Sequence, residues 1–281
     1  MKANEDIIIN GRSLKDILDL HELFLITGGK EGERANLEYA NLEYANLTDV
    51  NLTDANLIGA NLASVNLEEA NLEHTNLIGA NLGSANLKGA YLKRANLYNA
   101  NLIGAYLKRA NLYGAYLKGA NLYGANLEDA NLIDAYLKRA NLEGSYLIGT
   151  NLFRAKLVEA KLDNVTYDHT TLFYALQCPE KGNFIAYKKA GKCIVELEIL
   201  ENSKRSSATT RKCRCDKARV ISIEDVETGE KVIEVSSNRD KDFIYKVGEV
   251  VSVDDFNEDR WVECTTGIHF FMTKHEAESY N

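Results

Sequence analysis

Ala35-Asn36-Leu37-Glu38-Tyr39 opens a series of five-residue repeats in which leucine occupies every fifth position, without a break, from Leu37 to Leu162. In an α-helix, leucines at this spacing would advance about 140° around the axis per repeat, and in a β-strand they would alternate between the two faces. Neither arrangement gathers the leucines into a core. A chain that turns a corner once per repeat does so, because every leucine then points into the coil.

The residue two before each leucine is small, which fits a narrow coil interior. Alanine fills most of these positions, and the residue just before the leucine is Asn or Tyr until late in the series. The small residues other than alanine are Val50, Val65, Thr75, Ser145, Thr150, Val165 and Thr170. Over residues 35–174 this pattern resembles the pentapeptide repeat family.

The resemblance implies an all-β fold, a right-handed quadrilateral β-helix. In this pentapeptide repeat solenoid, four repeats make one coil, and the series is long enough for about seven coils. The small residue and the leucine point inward, while the other three positions face solvent. We therefore expect a rod whose interior is leucine and alanine, and whose surface chemistry is set by the remaining positions.

The chain divides by composition into three predicted segments. Its 281 residues include one proline, which argues against a disordered or collagen-like chain. We predict an N-terminal cap with a short helix over 1–34, the β-helix over 35–174, and a β-rich α+β domain over 175–281.

The predicted cap combines a hairpin turn with an amphipathic helix. Asn10-Gly11 favours a tight hairpin turn, Ser13 is a preferred N-cap residue, and Gly28-Gly29 ends the helical pattern. Apolar residues at helical spacing are Leu14, Ile17, Leu18 and Leu25. We expect this helix to cover the open first coil.

Charges on the predicted solenoid surface are segregated along the chain. Residues 35–87 contain acidic residues but no Lys or Arg, and residues 88–127 contain Lys and Arg but no acid. The candidate binding residues are Glu68, Glu69, Glu73, Lys88, Lys93, Arg94, Lys108 and Arg109. Two interpretations are open: a self-compensating solvated surface, or a bipolar docking face for a partner protein.

The family resemblance also implies a second function, because some pentapeptide repeat proteins imitate B-DNA, bind DNA gyrase and protect it from quinolones. Such mimicry requires a continuous negative potential. Residues 35–174 carry 14 acidic and 11 basic residues, a net charge of −3 out of −8 for the whole chain, and the bases are concentrated midway. The charge distribution disfavours the gyrase interpretation without removing it.

Several classes of partner and compartment are disfavoured by composition. A pI near 5.3 opposes direct nucleic-acid binding. No apolar run approaches the ~20 residues of a membrane span, and the first residues lack a secretory signal. Five cysteines are too few, and odd, for a disulfide framework. We expect a cytoplasmic protein without a cofactor or metal, and a homo-oligomer is compatible with the sequence.

The last segment has the alternation and turn signals of β-strands. The predicted strands are 184–190, 192–200, 218–226, 231–235, 250–253 and 268–272. Thr273 and Glu276 form a capping box that predicts a terminal helix to Tyr280. Residues 182–188, 204–208 and 267–271 resemble an uncharacterised C-terminal domain found with pentapeptide repeats in some bacterial and phage proteins.

A basic run in this segment is a candidate ligand site. Seven Lys and Arg residues and several hydroxyls lie between residues 204 and 219. The candidate phosphate-binding residues are Lys204, Arg205, Ser206, Ser207, Arg211 and Lys212. The alternative is a mobile, solvated loop between strands.

Two weaker patterns accompany that run. Cys213, Cys215, Cys264, His269 and His275 are residue types that bind zinc, but their spacing is not that of paired zinc ligands. Gly267 to Phe271 with Tyr280 resembles the strand and helix that hold nicotinamide in ADP-ribosyltransferases. Tyr187-Lys188 stand where that family has arginine or histidine, and no catalytic glutamate is assignable.

Taken together, the sequence predicts a non-enzymatic scaffold or protein-interaction module that presents charged columns on a rigid solenoid. The alternatives are a DNA-mimicking inhibitor or protector of gyrase, and a phosphate- or NAD-binding C-terminal domain with ADP-ribosyltransferase-like features.

Overall fold

The computed structural model describes residues 4–280, and the chain divides into two compact units. The first unit ends at Leu172 and the second begins at Phe173. The N-terminal helical segment belongs to the first unit. Each unit is built mainly from strands or bridges and carries one α-helix, Leu14–Ile26 (α1) in the first and Lys274–Ser279 (α2) in the second.

The first unit is a β-helix solenoid. Parallel bridges join residues 20 apart, from Asn36 with Asn56 to Tyr146 with Thr166, so that four repeats make one coil. Each bridge is closed by two hydrogen bonds: Leu37 N donates to Asn56 O at 2.7 Å, and Asn56 N donates to Ala35 O at 3.0 Å. Stacking therefore satisfies the backbone from coil to coil.

The interior of the solenoid is apolar, as the repeat predicts. Every repeat leucine from Leu37 to Leu157 is at most 1% exposed. Where threonine replaces alanine, its hydroxyl is satisfied by the backbone: Thr75 Oγ1 donates to Leu52 O at 2.8 Å, and Thr150 Oγ1 donates to Leu127 O at 2.7 Å. The predicted inward pair of leucine and small residue is confirmed.

Each corner is a four-residue turn with a left-handed residue at its third position. Ala60 N, for example, donates to Leu57 O at 3.1 Å, and Gly59 between them has φ +60°. A positive φ at this position is the signature of a type II turn, which favours Gly and Asn. This backbone requirement explains why the fifth residue of the repeat is so often glycine.

The register slips by one residue in the last repeat, and the prediction that Thr170 is an inward small residue is wrong. Thr171 is buried instead, and its hydroxyl donates to Leu147 O at 2.8 Å. Leu172 bridges to Asn151 and is 46% exposed. The extra residue lies in a turn in which the carboxylate of Asp168 accepts from Thr170 N at 2.8 Å.

The cap begins with a 3-10 turn, Asn4–Asp6, and a two-strand hairpin of Ile8–Ile9 (β1) and Arg12–Ser13 (β2). Asn10 and Gly11 both have positive φ in its turn. Ser13 accepts from Asp16 N at 3.1 Å and caps α1. These local predictions are confirmed.

The helix is fixed to the first repeat by a residue that the apolar pattern did not single out. His21 is fully buried, and its Nδ1 accepts from Ala35 N at 3.1 Å. Leu14 is also buried, whereas Ile17, Leu18 and Leu25 are half-buried. Burial lowers the pKa of His21, which keeps the imidazole neutral and able to accept this hydrogen bond.

The second unit contains the remaining strands and α2. The strands are Phe184–Ala190 (β3), Cys193–Ile199 (β4), Arg205–Ser207 (β5), Cys213–Cys215 (β6), Lys217–Asp225 (β7), Glu234–Ser236 (β8), Ile244–Lys246 (β9), Val250–Ser252 (β10) and Ile268–Phe270 (β11). They form antiparallel sheets in the orders β10-β7-β4-β3, β11-β6-β5 and β8-β9. An antiparallel bridge between Tyr187 and Phe271 links β3 to the end of β11.

The predicted strand 231–235 differs from the structure. Lys231 bridges to Glu224, as expected for a partner of β7, but the chain then leaves that strand. Glu234–Ser236 pairs with Ile244–Lys246 instead. The half-buried Val232 and Val235 pack against the core of this unit, which accounts for the departure.

No helix in the described residues 4–280 is long and apolar enough to cross a membrane.

Candidate functional site

The predicted charge columns form ion pairs between neighbouring coils. Lys88 Nζ lies 2.7 Å from Glu68 Oε1, and Lys108 Nζ lies 2.6 Å from Glu128 Oε2. The hydrogen bond from Lys88 lowers the pKa of Glu68, and the same contact raises the pKa of Lys88. These charges of the candidate face are therefore compensated within the solenoid.

The hexapeptide Ala-Tyr-Leu-Lys-Arg-Ala occurs three times, at 90–95, 105–110 and 135–140. In the second copy, Lys108 pairs with Glu128, and Arg109 Nε lies 4.0 Å from Asp129 Oδ2. In the third copy, both cations reach one carboxylate: Lys138 Nζ lies 3.4 Å and Arg139 Nε 2.5 Å from Glu159.

The first copy of the hexapeptide is different. Within residues 4–280, no carboxylate lies within 4.0 Å of the Lys93 or Arg94 side chain. The positions one coil further are Tyr113 and Gly114, which offer no acid. We call Lys93 and Arg94 the unpaired cation pair. Glu73 stands one coil before Lys93, on the same face, beyond ion-pair distance.

Asparagine ladders reinforce the surface, and sequence reasoning missed them. Asn61 Nδ2 donates to Asn41 Oδ1 at 3.1 Å, Asn81 to Asn61 at 3.0 Å, and Asn101 to Asn81 at 2.9 Å. Each ladder oxygen also accepts a backbone N–H two residues on, as Asn81 does from Gly83 at 3.3 Å. The signal was present, because asparagines 20 apart recur in one column. The ladders add side-chain hydrogen bonds between neighbouring coils.

The basic run of the second unit is not one continuous loop. It contains β5 and β6, and Ser206 and Ser207 are buried. The Arg205 guanidinium donates to five backbone carbonyls, those of Pro179, Gly182, Leu200, Glu201 and Ser203, at 2.7–3.3 Å. These hydrogen bonds fix the backbone around β5.

The other basic residues of that run also have separate partners. Lys204 forms an ion pair with Glu258, and Arg211 Nη1 lies 2.9 Å from Glu276 Oε1. Lys212 is the member of the predicted set that lines a cavity. The six predicted residues do not converge because alternate residues of a strand point to opposite faces.

A cavity of about 790 Å³ opens in the second unit. It is lined by five basic side chains: Lys188 and Lys189 on β3, Lys212 before β6, Arg239 between β8 and β9, and His269 on β11. Of these, Lys189 donates to the carbonyls of Glu278 and Tyr280 at 3.2 Å each. We call this cavity the cationic pocket. Lys188 shares a face of β3 with the buried Ala186 and Ala190, which directs it toward the interior.

The basic groups of the cationic pocket influence one another. Burial, followed by the charge of Arg239, lowers the pKa of Lys188 to about 8. Burial, followed by the charges of Lys212 and Lys188, lowers the pKa of His269 to about 4. The Nε2 atom of His269 is buried and has no hydrogen-bond partner within the described residues.

Aromatic rings and a thiol complete the pocket wall. Lys212 Nζ lies 3.2 Å from Tyr280 Oη and 3.7 Å from Cys264 Sγ. Lys188 Nζ lies 5.8 Å from the centroid of the Tyr245 ring. Phe271 packs on Tyr280 with ring centroids 5.1 Å apart. The pocket thus joins cationic groups to flat apolar surfaces.

In the described residues, the ADP-ribosyltransferase-like and zinc-type residues of the sequence analysis are not grouped into a site. The Glu276 carboxylate accepts from Arg211 and from Thr273 Oγ1 at 2.9 Å each, so it is used in a cap and an ion pair. Cys213 and Cys215 are fully buried on β6. Across residues 4–280, no group of three or more His, Cys, Asp and Glu is placed to hold a metal ion.

Family models match both units. The pentapeptide repeats model (8 copies) matches residues 33–68, 55–94, 66–102, 90–129 and 130–166. A family of unknown function (DUF5758) matches residues 174–277. The search of curated proteins gave no match.

Solved structures similar to this chain are also pentapeptide repeat proteins. HetL, involved in heterocyst differentiation regulation in the cyanobacterium Nostoc sp. strain PCC 7120, is 32% identical over 48% of this chain and 70% of its own, with a TM-score of 0.28. Rfr23 from the cyanobacterium Cyanothece 51142 is 31% identical over 48% of this chain and 88% of its own, with a TM-score of 0.16.

A more distant similarity is to full-length QnrB1, a plasmid-mediated fluoroquinolone resistance protein, at 15% identity over 48% of this chain and 92% of its own, with a TM-score of 0.28. The family match and the identity to HetL and Rfr23 establish the class. The chain belongs to the pentapeptide repeat family, and its C-terminal unit carries the domain of unknown function. The resemblances to the pentapeptide repeat family and to an uncharacterised C-terminal domain are confirmed.

Proposed function

We propose that this protein is a non-enzymatic scaffold whose solenoid, a right-handed quadrilateral β-helix, docks a partner protein through the unpaired cation pair. The observation that supports this most is the contrast between three identical hexapeptides. Lys108 and Arg109, like Lys138 and Arg139, are neutralised by acids one coil away, whereas Lys93 and Arg94 are not.

The contrast has an energetic consequence for binding. A carboxylate from a partner must displace a bound internal acid at the paired copies. At Lys93 and Arg94 no carboxylate of the described residues is within 4.0 Å, and Glu73, one coil before Lys93, is not in contact with it. Electrostatic complementarity of this kind contributes mainly to specificity and association rate. Backbone hydrogen bonds between stacked coils, such as Arg94 N to Tyr113 O at 2.9 Å, hold the face in place, so little conformational freedom is lost on docking.

The charges around the pair define the partner that fits. Glu69 and Glu73 lie one coil before the pair, on two adjacent faces. A partner surface with an acidic segment opposite Lys93 and Arg94, and a basic segment opposite these glutamates, would be complementary. This retains the bipolar docking face predicted from the sequence, but it moves the centre of binding away from Lys88, Lys108 and Arg109.

The repeated hexapeptide supplies its own control. Full-length protein is used as bait in lysate of the source organism in three forms: wild type, Lys93→Glu/Arg94→Glu and Lys138→Glu/Arg139→Glu. Both double variants change the charge equally within the same six-residue sequence. We expect a partner that is retained by wild type and by the 138/139 variant but lost by the 93/94 variant. Equal retention by all three would contradict docking at the pair.

The gyrase alternative makes a different prediction. Duplex mimicry needs an uninterrupted negative face, and the unpaired cation pair interrupts it. We expect no effect of micromolar protein on gyrase supercoiling, with or without a quinolone. Inhibition or protection by wild type would replace the scaffold proposal with the gyrase one.

The absence of catalysis is part of the proposal. The described coil interior consists of leucine, alanine, valine, serine and threonine, and it therefore offers no titratable group. In the second unit, Glu276 is engaged by Arg211 and Thr273, which removes support from an ADP-ribosyltransferase-like role. Incubation of the full chain with NAD should leave the NAD concentration unchanged.

A further inference from the structure

The cationic pocket holds more positive than negative charge, because Asp240 and Asp255 are the acidic members of its lining and neither forms an ion pair with its basic groups. Within the described chain, no carboxylate lies within 4.0 Å of Lys188, Lys212 or Arg239. Lys212 is only 9% exposed, and Lys188 is half-buried. Burying a cation without a counter-charge is unfavourable. A bound anion would remove that penalty.

The donor types favour phosphate over other anions. Lysine supplies ammonium groups as point charges, and Arg239 supplies a planar fork that matches phosphate oxygens. Ser237, Thr265 and Thr266 add hydroxyls to the same lining. The unpartnered Nε2 of His269 is a further polar atom in need of a partner. A phosphate group can satisfy several such donors at once.

The pocket is much larger than a phosphate needs. Its volume of about 790 Å³ lies within the range of sites for whole small molecules. Phe243, Tyr245, Phe271 and Tyr280 contribute rings to the lining. Flat rings of a ligand stack favourably on such side chains. The occupant should therefore carry a planar ring as well as a phosphate.

We propose that the cationic pocket of the C-terminal unit binds a nucleotide, with Lys188, Lys212, Arg239 and His269 around its phosphate and the aromatic wall beside its base. This assignment is independent of the docking function of the solenoid. It also differs from the candidate site in the basic run, because Lys204, Arg205 and Arg211 do not line the pocket and Lys212 does.

Calorimetric titration of the full chain tests the class of ligand. The probes are AMP, GMP, CMP and UMP, the matching nucleosides, and inorganic phosphate. We expect at least one nucleotide to bind at least about tenfold more tightly than inorganic phosphate, and its nucleoside not to bind measurably. Equal affinities for nucleotide and phosphate, equal affinities for nucleotide and nucleoside, or no nucleotide binding below about 1 mM would overturn the proposal.

Two variants test the location of the site. Lys188→Met and His269→Gln should each weaken binding of the best nucleotide by roughly tenfold or more, because each removes a contact to a charged group. Lys181→Met, at an exposed lysine outside the pocket, should leave it unchanged. Unaltered binding by both pocket variants would place the nucleotide elsewhere and overturn the assignment.

The melting temperatures of the ligand-free variants distinguish an effect on binding from an effect on folding. Since Lys188→Met removes a partly buried, uncompensated charge, the melting temperature of the ligand-free protein should be equal to or above that of wild type. Loss of binding at unchanged or raised melting temperature supports a role in the ligand site. If Lys188→Met melts below wild type, the test rests on His269→Gln. Nucleotide affinity of His269→Gln equal to that of wild type would then overturn the proposal.

Discussion

Lys88 Nζ and Glu68 Oε1 are 2.7 Å apart, although 20 residues separate them in the sequence. The same spacing joins Arg139 to Glu159, at 2.5 Å. Because residues 20 apart are lateral neighbours, the sequence of one coil decides which charges of the next are compensated. A short stretch of identical sequence can therefore be inert in one coil and available for binding in another.

The inner position of the repeat should dominate stability. Leu102 is 1% exposed, and its neighbour Ile103 is 42% exposed. We expect Leu102→Ala to lower the free energy of unfolding by about 2–5 kcal/mol, since it leaves a cavity in a packed interior. Ile103→Ala should change it by no more than about 0.5 kcal/mol. Urea unfolding followed by circular dichroism measures both, and equal losses would contradict the inward assignment.

The asparagine ladder should contribute measurably to the same free energy. Asn81 takes part in two side-chain bonds, to Asn61 and Asn101, besides its backbone contact. Asn96 accepts from Tyr98 N at 3.2 Å but is not part of such a ladder. Asn81→Ala should therefore cost about 1 kcal/mol more than Asn96→Ala. A difference of zero would mean that water replaces the ladder without loss.

The period-five pattern predicted the solenoid because one side chain repeats at a fixed interval and needs a common interior. The slip at Thr171 was not predictable, since Thr170 and Thr171 are equally small and only the turn around Asp168 decides between them. The role of His21 depends on a single contact across the first repeat, which no periodicity reports.

The cationic pocket illustrates another limit. Lys188, Lys212, Arg239 and His269 are far apart in the chain, and the sheet topology brings them together. The basic run from residue 204 was conspicuous in the sequence, but two short buried strands distribute its side chains in different directions. Local clustering of charge in the sequence therefore included Lys212, while its grouping with Lys188, Arg239 and His269 required the fold.

Stability should depend on pH through Lys188. Its pKa is lowered to about 8, with Arg239, Lys212 and Cys215 as the charged or titratable groups that act on it. The unfolded chain binds this proton more tightly than the folded chain, so stability rises with pH between about 8 and 10.5, the ordinary value. The gain should be roughly 1–3 kcal/mol.

Lys188→Met supplies the control for that measurement, because the variant lacks the titrating group. Unfolding free energies of both proteins at pH 7 to 10 should converge as the pH increases, with wild type the less stable at pH 7. A constant difference over this range would show that Lys188 is not held in an unfavourable environment.

The alkylation rates of the cysteines should distinguish buried from exposed positions in the second unit. Burial raises the pKa of Cys215, whereas Cys264 is exposed at the pocket wall. Brief iodoacetamide treatment at pH 8 should modify Cys264 while Cys215 stays unmodified, since the thiolate is the reacting form. Peptide mass spectrometry measures both sites, and comparable modification would contradict the buried position of β6.

Lysine footprinting of the captured complex tests the docking proposal most directly. Lys93, Lys108 and Lys138 lie in identical hexapeptides, so differences in acetylation report their surroundings in the coil. We expect partner binding to protect Lys93 strongly and to leave Lys138 unchanged, as judged by peptide mass spectrometry with and without the partner. Equal protection of Lys93 and Lys138, or protection of neither, would contradict a docking face centred on the unpaired cation pair.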